Sequence, residues 1–365
     1  MLLARLGSLN ALEQLRGHRG VWRRALGPGH QVPSADTLAR VQALFEPEDL
    51  RSLLLEQYTR LKRNKALPAP PHGLTVLILD GHESTASFLR CCPGCLTRQV
   101  TTKAGTRTQY YHRDVGAMLA GDGWELLIDH EPQRPSEDEV AAATRLLQRV
   151  CRNLPRAFDV VLADALYARV GFFRSVLALG KDVVVVLKHD EWTLNQDARA
   201  LCDMIPAQMH ISGRTQRKCW NVSDLPWGDL ERTVRVVRSE ETTPIKRQRT
   251  KKVEQKKSTW FWITTLSEVK APTRVVVDFG HRRWAIENQG FNEAVNIWHL
   301  DHVYHHEPRA MDVILLLGML AYNLLRFFYD RNLKPAIRDR VTRLHICQLI
   351  TADLYAAAAS SAVPP

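Results

Sequence analysis

The stretch VVLADALYAR, residues 160–169, carries four apolar residues directly into the carboxylate of Asp164. A short apolar run of this kind, rich in β-branched residues, predicts a buried strand. The stretch LTVLILDGHE, residues 74–83, repeats the pattern and ends its apolar run at Asp80. In open α/β sheets, ligands bind at the carboxyl ends of the strands, so the two aspartates are expected to converge there.

The segment 74–190 reads as strand, hairpin, helix, strand, helix, strand. The Gly-Asp-Gly sequence at 121–123 predicts the hairpin turn. Ser136 followed three residues later by Glu139 predicts a capping box at the start of the first helix. The last strand, within 182–190, is apolar enough to be buried on both faces. This order of elements predicts an α/β fold with a mixed sheet.

The rest of the chain suggests further parts on either side of this segment. Ser34 is a predicted helix N-cap in a helical N-terminal region that ends at a Pro-rich joint, ALPAPPHG. That region is either a DNA-binding head or a helical layer that only packs against the rest of the protein. Helical periodicity fades after residue 190 and short strand-like runs appear. The predicted parts are a helical N-terminal domain (1–70), a core (71–190 with 258–330), a β-rich basic insertion (191–257) and a helical tail (331–365).

The charge balance favours an anionic partner. The chain has 50 Lys and Arg against 39 Asp and Glu, a net charge of +11, and a pI of about 9.5. Nucleic acid is the commonest partner of such a surface, and a basic protein without a polyanion partner is the alternative. Seven cations fall in residues 245–257, where we expect exposed side chains that contact DNA phosphates. They are Lys246, Arg247, Arg249, Lys251, Lys252, Lys256 and Lys257.

A third carboxylate, Glu287, completes a candidate metal site. Paired carboxylates repel each other unless cations neutralise them, and Mg²⁺ or Mn²⁺ are the usual ions for oxygen ligands. Two such ions suit phosphodiester chemistry. Arg283 lies four residues before Glu287, so the two side chains share a helix face. The alternatives are that Asp80 or Asp164 simply caps a helix and that Arg283 and Glu287 form a solvated pair.

The stretches LILDGHE, VVLADALYA and HRRWAIENQGFNEAVN, in this order, resemble the DDE transposases, and more narrowly the IS4 family of bacterial insertion sequences. The resemblance covers about residues 74–330. It implies a ribonuclease H-like sheet flanked by helices, with a β-rich insertion before the glutamate. It also implies that Asp80, Asp164 and Glu287 form the metal-binding triad, with Arg283 steadying Glu287 or a phosphate.

The same resemblance implies a function and its partners. Such an enzyme binds the inverted-repeat ends of its element as a dimer, cleaves them and joins them to target DNA. The chain departs from the IS4 pattern at Gly280 and Ala294, where the family has a tyrosine and a lysine that contact DNA. His281, Arg282 and Asn292 are the candidate substitutes. The alternatives are a decayed DNA-binding protein that cuts nothing and a cellular ribonuclease H-like nuclease.

The sequence CCPGC offers a second, separate metal site. Cys92 and Cys95 have zinc-ligand spacing, and His112 follows, but a buried turn with inert thiols fits the spacing as well. The histidines of HVYHHEP, residues 302–308, are interpreted as hydrogen-bonded or surface side chains. The odd number of cysteines argues against a secreted disulfide framework.

No membrane association is predicted. The apolar stretch Val313–Tyr322 is about half the length of a membrane span, so we interpret it as a buried core helix. The N-terminal residues contain no long apolar region, which predicts that there is no signal peptide. We therefore expect the protein in the cytoplasm of a bacterium, associated with the nucleoid.

Overall fold

The computed structural model describes residues 7–16, 27, 33–103, 105–188, 192–249, 251–302 and 306–360. Within these residues one mixed sheet forms the centre of the fold, which confirms the predicted α/β class. The strands are β1 Val76–Ser87, β2 Leu96–Thr102, β3 Gly105–Gly121, β4 Trp124–Pro132, β5 Val160–Ala163, β6 Asp182–Val186, β7 Gln208–Ser212, β8 Thr215–Leu225, β9 Val234–Lys246 and β10 Val253–Thr264. The helices are α1 Leu9–Leu15, α2 Ala35–Leu44, α3 Pro47–Arg63, α4 Glu139–Asn153, α5 Val170–Ala178, α6 Thr193–Met204, α7 Thr273–Arg282, α8 Asn292–Trp298, α9 Pro308–Phe327, α10 Pro335–Arg338 and α11 Arg343–Ser360.

The strand order is β2-β3-β1-β5-β6-β10-β9-β8-β7, and β4 also pairs with β3. Strands β1, β5 and β6 are parallel neighbours, while β3, β4 and β10 are antiparallel to their partners. The β3–β4 connection is the predicted hairpin, and Gly123 in its turn has a positive φ of 71°. The carboxyl ends of β1, β5 and β6 therefore point to the same edge of the sheet, which we call the carboxyl edge.

The core lies on both faces of the central strands because their residues alternate between the faces. Leu77 and Leu79 of β1 pack on one face, in a cluster that includes residues of α4 and α5. Val76 and Ile78 pack on the other face, in a cluster that includes residues of α3, α7 and α9. Asp80 continues the second set, so its side chain is directed to the face that α7 and α9 cover.

Helix α9 contains the apolar stretch that was predicted to be a core helix. Among the described residues, Pro308–Asn332 is the one segment long and apolar enough to cross a membrane by length and composition. Of the 18 residues in its most apolar stretch, 56% are buried inside the fold. Asn323 of α9 also exchanges hydrogen bonds with the backbone of Leu127 in β4, at 3.0 and 2.8 Å. These contacts attach the helix to the sheet, as expected of a core helix.

Two local predictions were wrong. Asp138, not Ser136, caps α4: its carboxylate accepts a hydrogen bond from the Ala141 amide at 2.9 Å, and Ser136 has a positive φ of 67°. The chain after residue 190 also contains a helix, α6, whose buried Leu194, Ala198 and Cys202 recur every four residues. The strands that follow α6 continue the central sheet through β10.

Candidate active site

The parallel register of β1 and β5 brings the two aspartates to the same level. Ile78 pairs with Leu162, so two residues further on Asp80 lies level with Asp164 at the carboxyl edge. Strand β1 does not end at Leu79 as predicted, because its pairing with β3 continues to Ser87. The apolar part of the strand ends at Asp80, whereas the strand itself runs on.

Asp164 has two roles in the structure. Its Oδ1 accepts a hydrogen bond from the Leu166 amide at 2.8 Å and caps a one-turn 3₁₀ helix, Ala165–Tyr167. Its charge also lies close enough to Asp80 to raise the pKa of that carboxyl group. The capping role and the convergence with Asp80, which the sequence left as alternatives, are therefore both present.

Glu287 reaches the aspartates from a distorted helical turn. The helix predicted over this region is α-helical to Arg282, has a π-helical turn at Ile286–Phe291 and continues as α8. Such π-turns occur mostly inside α-helices and frequently at functional sites. Arg283 Nη1 donates to Glu287 Oε1 at 2.5 Å and to Asp80 Oδ2 at 3.2 Å. The arginine thus joins the helix to the strand across the site.

The electrostatics of this group are unbalanced. Asp80 is 8% exposed, and burial raises its pKa to about 8. The hydrogen bond with Glu287 and the negative charges of Glu287 and Asp164 add to this rise, while Arg283 opposes it. Asp80 and Glu287 share the guanidinium of Arg283, and Asp164 adds a third negative charge nearby. The excess of negative charge is one that a divalent cation would neutralise. The donor chemistry of these carboxylates suits Mg²⁺ or Mn²⁺, which prefer oxygen ligands.

Comparison with known proteins identifies the family. A family model described as a transposase DDE domain matches residues 73–324, which include all three carboxylates. The chain belongs to the DDE transposase family. Enzymes of this family use divalent metal ions, in agreement with the donor set at the carboxyl edge.

Beyond the family model, similarity to known proteins is limited. A solved structure described as a piggyBac transposase synaptic complex with hairpin DNA is similar at 10% sequence identity. The similarity covers 98% of this chain and 73% of that chain, with a TM-score of 0.42. No curated protein sequence matches the chain.

In this transposase, a fourth acid that the sequence analysis did not assign to the site lies next to Asp80. Glu139 is buried, accepts a hydrogen bond from the Tyr167 hydroxyl at 2.8 Å and lies 2.8 Å from Arg113. A side chain at Gly81 would collide with the Glu139 carboxylate. Because Gly81 has no side chain, the Glu139 carboxylate fits beside it. This glycine, directly after Asp80, is the sequence signal that could have revealed Glu139 as a neighbour of the site.

The two departures from the IS4 pattern lie in the protein interior. Gly280 packs against Trp262, and any side chain there would collide with the indole ring. Ala294 is buried in a cluster with Trp298. Neither position could present a tyrosine or a lysine to DNA without repacking.

The three candidate substitutes differ in how they are engaged. His281 Nε2 lies 2.7 Å from Glu241, and Arg282 donates to Glu125 at 3.1 Å. Asn292 is exposed and accepts a hydrogen bond from Asn296 at 2.5 Å. Of the three, Asn292 is the side chain most accessible to a ligand.

The seven predicted DNA-contacting cations lie on the hairpin between β9 and β10. We call residues 245–257 the basic arm; residue 250 lies outside the described residues. All seven side chains are exposed, and Arg247 forms an ion pair with Glu254 at 2.7 Å. Because Trp262 pairs with Val186 at the end of β6, the nine strand residues beyond Trp262, 253–261, extend about 30 Å past the carboxyl edge. The arm therefore projects from the edge that carries the aspartates.

The carboxylates do not line the wide cleft that opens near the start of β1. That cleft, of about 1130 Å³, is near Leu74 and Val76 at the other end of β1 and is lined by Arg282 and Trp284 among others. Glu287 is instead 37% exposed in its side chain, at an open surface. An open site of this kind suits a large substrate better than a small molecule that needs enclosure.

Cys92 and Cys95 contribute nothing to the carboxylate cluster. They lie in the turn between β1 and β2, with their sulfur atoms 3.7 Å apart. Both are free thiols.

Proposed function

We propose that this transposase binds the inverted-repeat ends of its own insertion sequence and cleaves and joins DNA with Mg²⁺ or Mn²⁺. The observation that carries the proposal is that Asp80 lies near both Asp164 and Glu287 at an open sheet edge, with Arg283 bonded to Asp80 and Glu287. Within the family, the sequence patterns around these residues favour the IS4 group of bacterial insertion sequences. The enzyme would then act in the bacterial cytoplasm, on the nucleoid.

Each site residue has a distinct role in this proposal. Asp80, Asp164 and Glu287 hold the divalent ions. When bound, the ions would activate the attacking oxygen and stabilise the leaving oxygen of a phosphodiester. Arg283 keeps Glu287 and Asp80 in place through its two hydrogen bonds. The Asp164 carboxylate is oriented in turn by the Leu166 amide, so each ligand has a fixed partner of its own.

The proposed reaction has two steps. In the first, a water oxygen forms a bond to phosphorus at the element end, the bond to the 3′ oxygen breaks, and that oxygen leaves as a hydroxyl with a proton. In the second, this 3′ hydroxyl attacks a phosphodiester of target DNA, and the target's own 3′ oxygen leaves. Each step exchanges one phosphorus–oxygen bond for another, so no outside energy source or oxidant is needed.

The basic arm is the proposed contact to the DNA backbone. Its cations are exposed, and it projects from the carboxyl edge, so it would lie beside DNA held at the carboxylates. Contacts of this kind add affinity without reading sequence. Because two element ends must be brought together before joining, we propose that the protein is a dimer when bound to DNA.

The substitution Asp164→Asn tests the proposal on DNA duplexes that span the two boundaries of the element. We expect cleavage to fall by about 10³-fold or more, while binding in a gel-shift assay stays within about twofold. Asp122→Asn is the matched control, since Asp122 is an exposed aspartate in the β3–β4 turn. Cleavage by Asp164→Asn at the normal rate would show that the active-site assignment is wrong.

In the same assay, the behaviour of the wild-type protein distinguishes the transposase from the two alternative functions. DNA binding without any cleavage would favour the decayed DNA-binding protein. Cleavage without transfer of the 3′ ends to target DNA would favour the ribonuclease H-like nuclease. Cleavage followed by joining supports the transposase.

A further inference from the structure

Four metal-ligating side chains converge away from the carboxylates. Cys92 and Cys95 come from the turn after β1, His112 from β3, and His306 from the chain just before α9. One ligand atom from each residue lies within 4.8 Å of all the others. Three separate segments of the chain therefore supply two sulfur and two nitrogen donors to one place.

The distances fit a tetrahedral metal ion. The two sulfur atoms are 3.7 Å apart, and ideal tetrahedral zinc with Zn–S bonds of about 2.3 Å places them about 3.8 Å apart. His112 Nε2 is 3.3 Å from Cys92 Sγ and 3.2 Å from Cys95 Sγ, and His306 Nε2 is 3.7 Å from Cys95 Sγ. Ideal zinc bonds give a sulfur–nitrogen separation of about 3.6 Å, so each contact needs only a small adjustment.

Ordinary hydrogen bonding accounts poorly for this arrangement. One imidazole nitrogen of His112 lies within reach of both sulfur atoms, yet a neutral imidazole nitrogen offers either one proton or one lone pair. A disulfide does not account for it either, because the sulfur atoms are far beyond the bond length of about 2.05 Å. A cation at the centre would satisfy all four donors at once.

We propose that Cys92, Cys95, His112 and His306 bind one structural Zn²⁺ ion. Two thiolates and two imidazoles are the donor set that zinc prefers, and four protein ligands close the coordination sphere, as in structural rather than catalytic zinc sites. The ion attaches the chain just before α9 to the β1–β2 turn and to β3. His112 faces Thr85 of β1, the strand that carries Asp80, so the ion stabilises the outer half of the strand that carries the first carboxylate.

Metal analysis of the purified full-length protein tests the site. We expect one zinc per chain, and in Cys92→Ser and His306→Ala we expect most of it to be lost. Cys91→Ser is the matched control, because Cys91 is an exposed thiol next to Cys92 and outside the cluster. Asp164→Asn should keep its zinc, which separates this site from the carboxylates. Full zinc content in Cys92→Ser, or its loss in Cys91→Ser, would overturn the assignment.

Two further measurements use the wild-type protein, so they do not depend on whether a variant folds. Replacement of zinc by Co²⁺ should give the visible absorption of a tetrahedral ion and a sulfur-to-cobalt charge-transfer band. Removal of the ion with a chelator should increase the rate of Cys92 alkylation by about tenfold or more, because a metal-bound thiolate is protected. Mass spectrometry measures this rate. Alkylation of Cys91 should be unchanged. Octahedral cobalt spectra, or Cys92 alkylation that is insensitive to chelation, would contradict the proposal.

Discussion

Two groups of buried charges differ in how well they are balanced. The first is the carboxylate group at the carboxyl edge, where Arg283 pairs with Asp80 and Glu287 and Asp164 adds a third negative charge nearby. The second, which we call the buried ion cluster, lies between the sheet, α3, α4 and α9. Its central members are the acids Asp114, Asp129, Glu131 and Asp312 and the bases Arg51, Arg145, Arg149 and His130. At its margin Glu48 and Glu137 pair with Arg51 and Arg145, and Arg134 lies 4.0 Å from Glu131.

Every acid of the buried ion cluster has a cationic partner. Asp129 is held between Arg51 and Arg149, at 2.9 and 2.7 Å. His130 lies between Asp312 and Asp114, at 2.7 and 3.3 Å. These pairs join three helices to the hairpin strands and need nothing from outside the protein. The group at the carboxyl edge, by contrast, keeps an excess of negative charge that the proposed cations would neutralise.

The difference separates structural from functional charge. A buried acid without a partner costs folding free energy, so it persists where its charge has a use. Burial alone does not distinguish the two groups, since both Asp80 and Asp129 are buried. The ratio of acids to bases does distinguish them. The same substitution should therefore have different consequences in the two groups.

The largest expected contrast is between Asp129→Asn and Asp80→Asn. An amide at 129 can accept from one arginine but turns its NH₂ group toward the other, so we expect a loss of about 3–5 kcal/mol in unfolding free energy. At position 80 the amide removes a charge from an acid-rich site, and Arg283 keeps Glu287. The unfolding free energy of Asp80→Asn should be unchanged or higher, as measured by urea denaturation at pH 8 without metal. If Asp80→Asn destabilised as much as Asp129→Asn, the contrast between the groups would fail.

The next prediction concerns pH and His130. Burial alone would lower the pKa of His130, but the carboxylates of Asp312 and Asp114 outweigh it and raise the pKa from 6.5 to about 10. The folded chain therefore binds this proton more tightly than the unfolded chain. Its stabilising contribution is complete below pH 6.5 and is lost as the pH rises toward 10.

Denaturation curves at several pH values measure this effect. Between pH 6.5 and 9 the unfolding free energy of the wild-type protein should fall, with a contribution from His130 of up to about 3 kcal/mol. His130→Gln keeps hydrogen-bonding atoms but has no such proton, so its curve should be flatter. Arg51 and Arg149 stay charged throughout this range and serve as a constant background. Parallel curves for the two proteins would mean that His130 is neutral in the fold.

Local patterns in the sequence were enough to single out the carboxylates of the candidate site. An apolar run ending in an acid marked Asp80 and Asp164, and helical spacing paired Arg283 with Glu287. The contact between Arg283 and Asp80 links residues 203 apart, and the sequence did not predict it, since Arg283 was expected to steady Glu287 or a phosphate. The α/β class was predictable from local patterns, since each strand and helix has its own period.

What the sequence did not predict depends on contacts between distant segments. Glu139 was interpreted as half of a capping box, although its position reflects space left by Gly81 on another element. His306 lies 211 residues after Cys95, and no local pattern connects the two. The charge balance of the buried ion cluster is equally non-local, since it joins residues of α3, two strands, α4 and α9.

Metal binding should affect the two groups differently. Mg²⁺ or Mn²⁺ at 100 times its dissociation constant should stabilise the wild-type protein by about 2.7 kcal/mol, because binding to the folded state alone shifts unfolding. Asp80→Asn should lose this stabilisation in thermal unfolding experiments. Asp129→Asn should keep it despite a lower starting stability. Equal stabilisation of Asp80→Asn and the wild-type protein would place the ions elsewhere.

The smallest effect on stability is expected in the basic arm, a third group of charges, which is unbalanced but lies in solvent. Water screens these charges, so Lys251→Gln with Lys252→Gln should change the unfolding free energy by no more than about 0.5 kcal/mol. DNA binding should still respond: the slope of log affinity against log salt should fall by about 0.9 for each phosphate that the arm no longer neutralises. Lys62→Gln with Arg63→Gln, on exposed positions of α3, is the charge-matched control.

An equal loss of salt dependence in the control pair would mean that net charge alone attracts DNA and that the arm has no special role. A loss confined to the arm would extend the comparison from buried to exposed charge. In both settings the chain keeps charges that it does not pair itself. The buried ones cost stability and the exposed ones do not, because only burial removes the solvation that supports an unpaired ion.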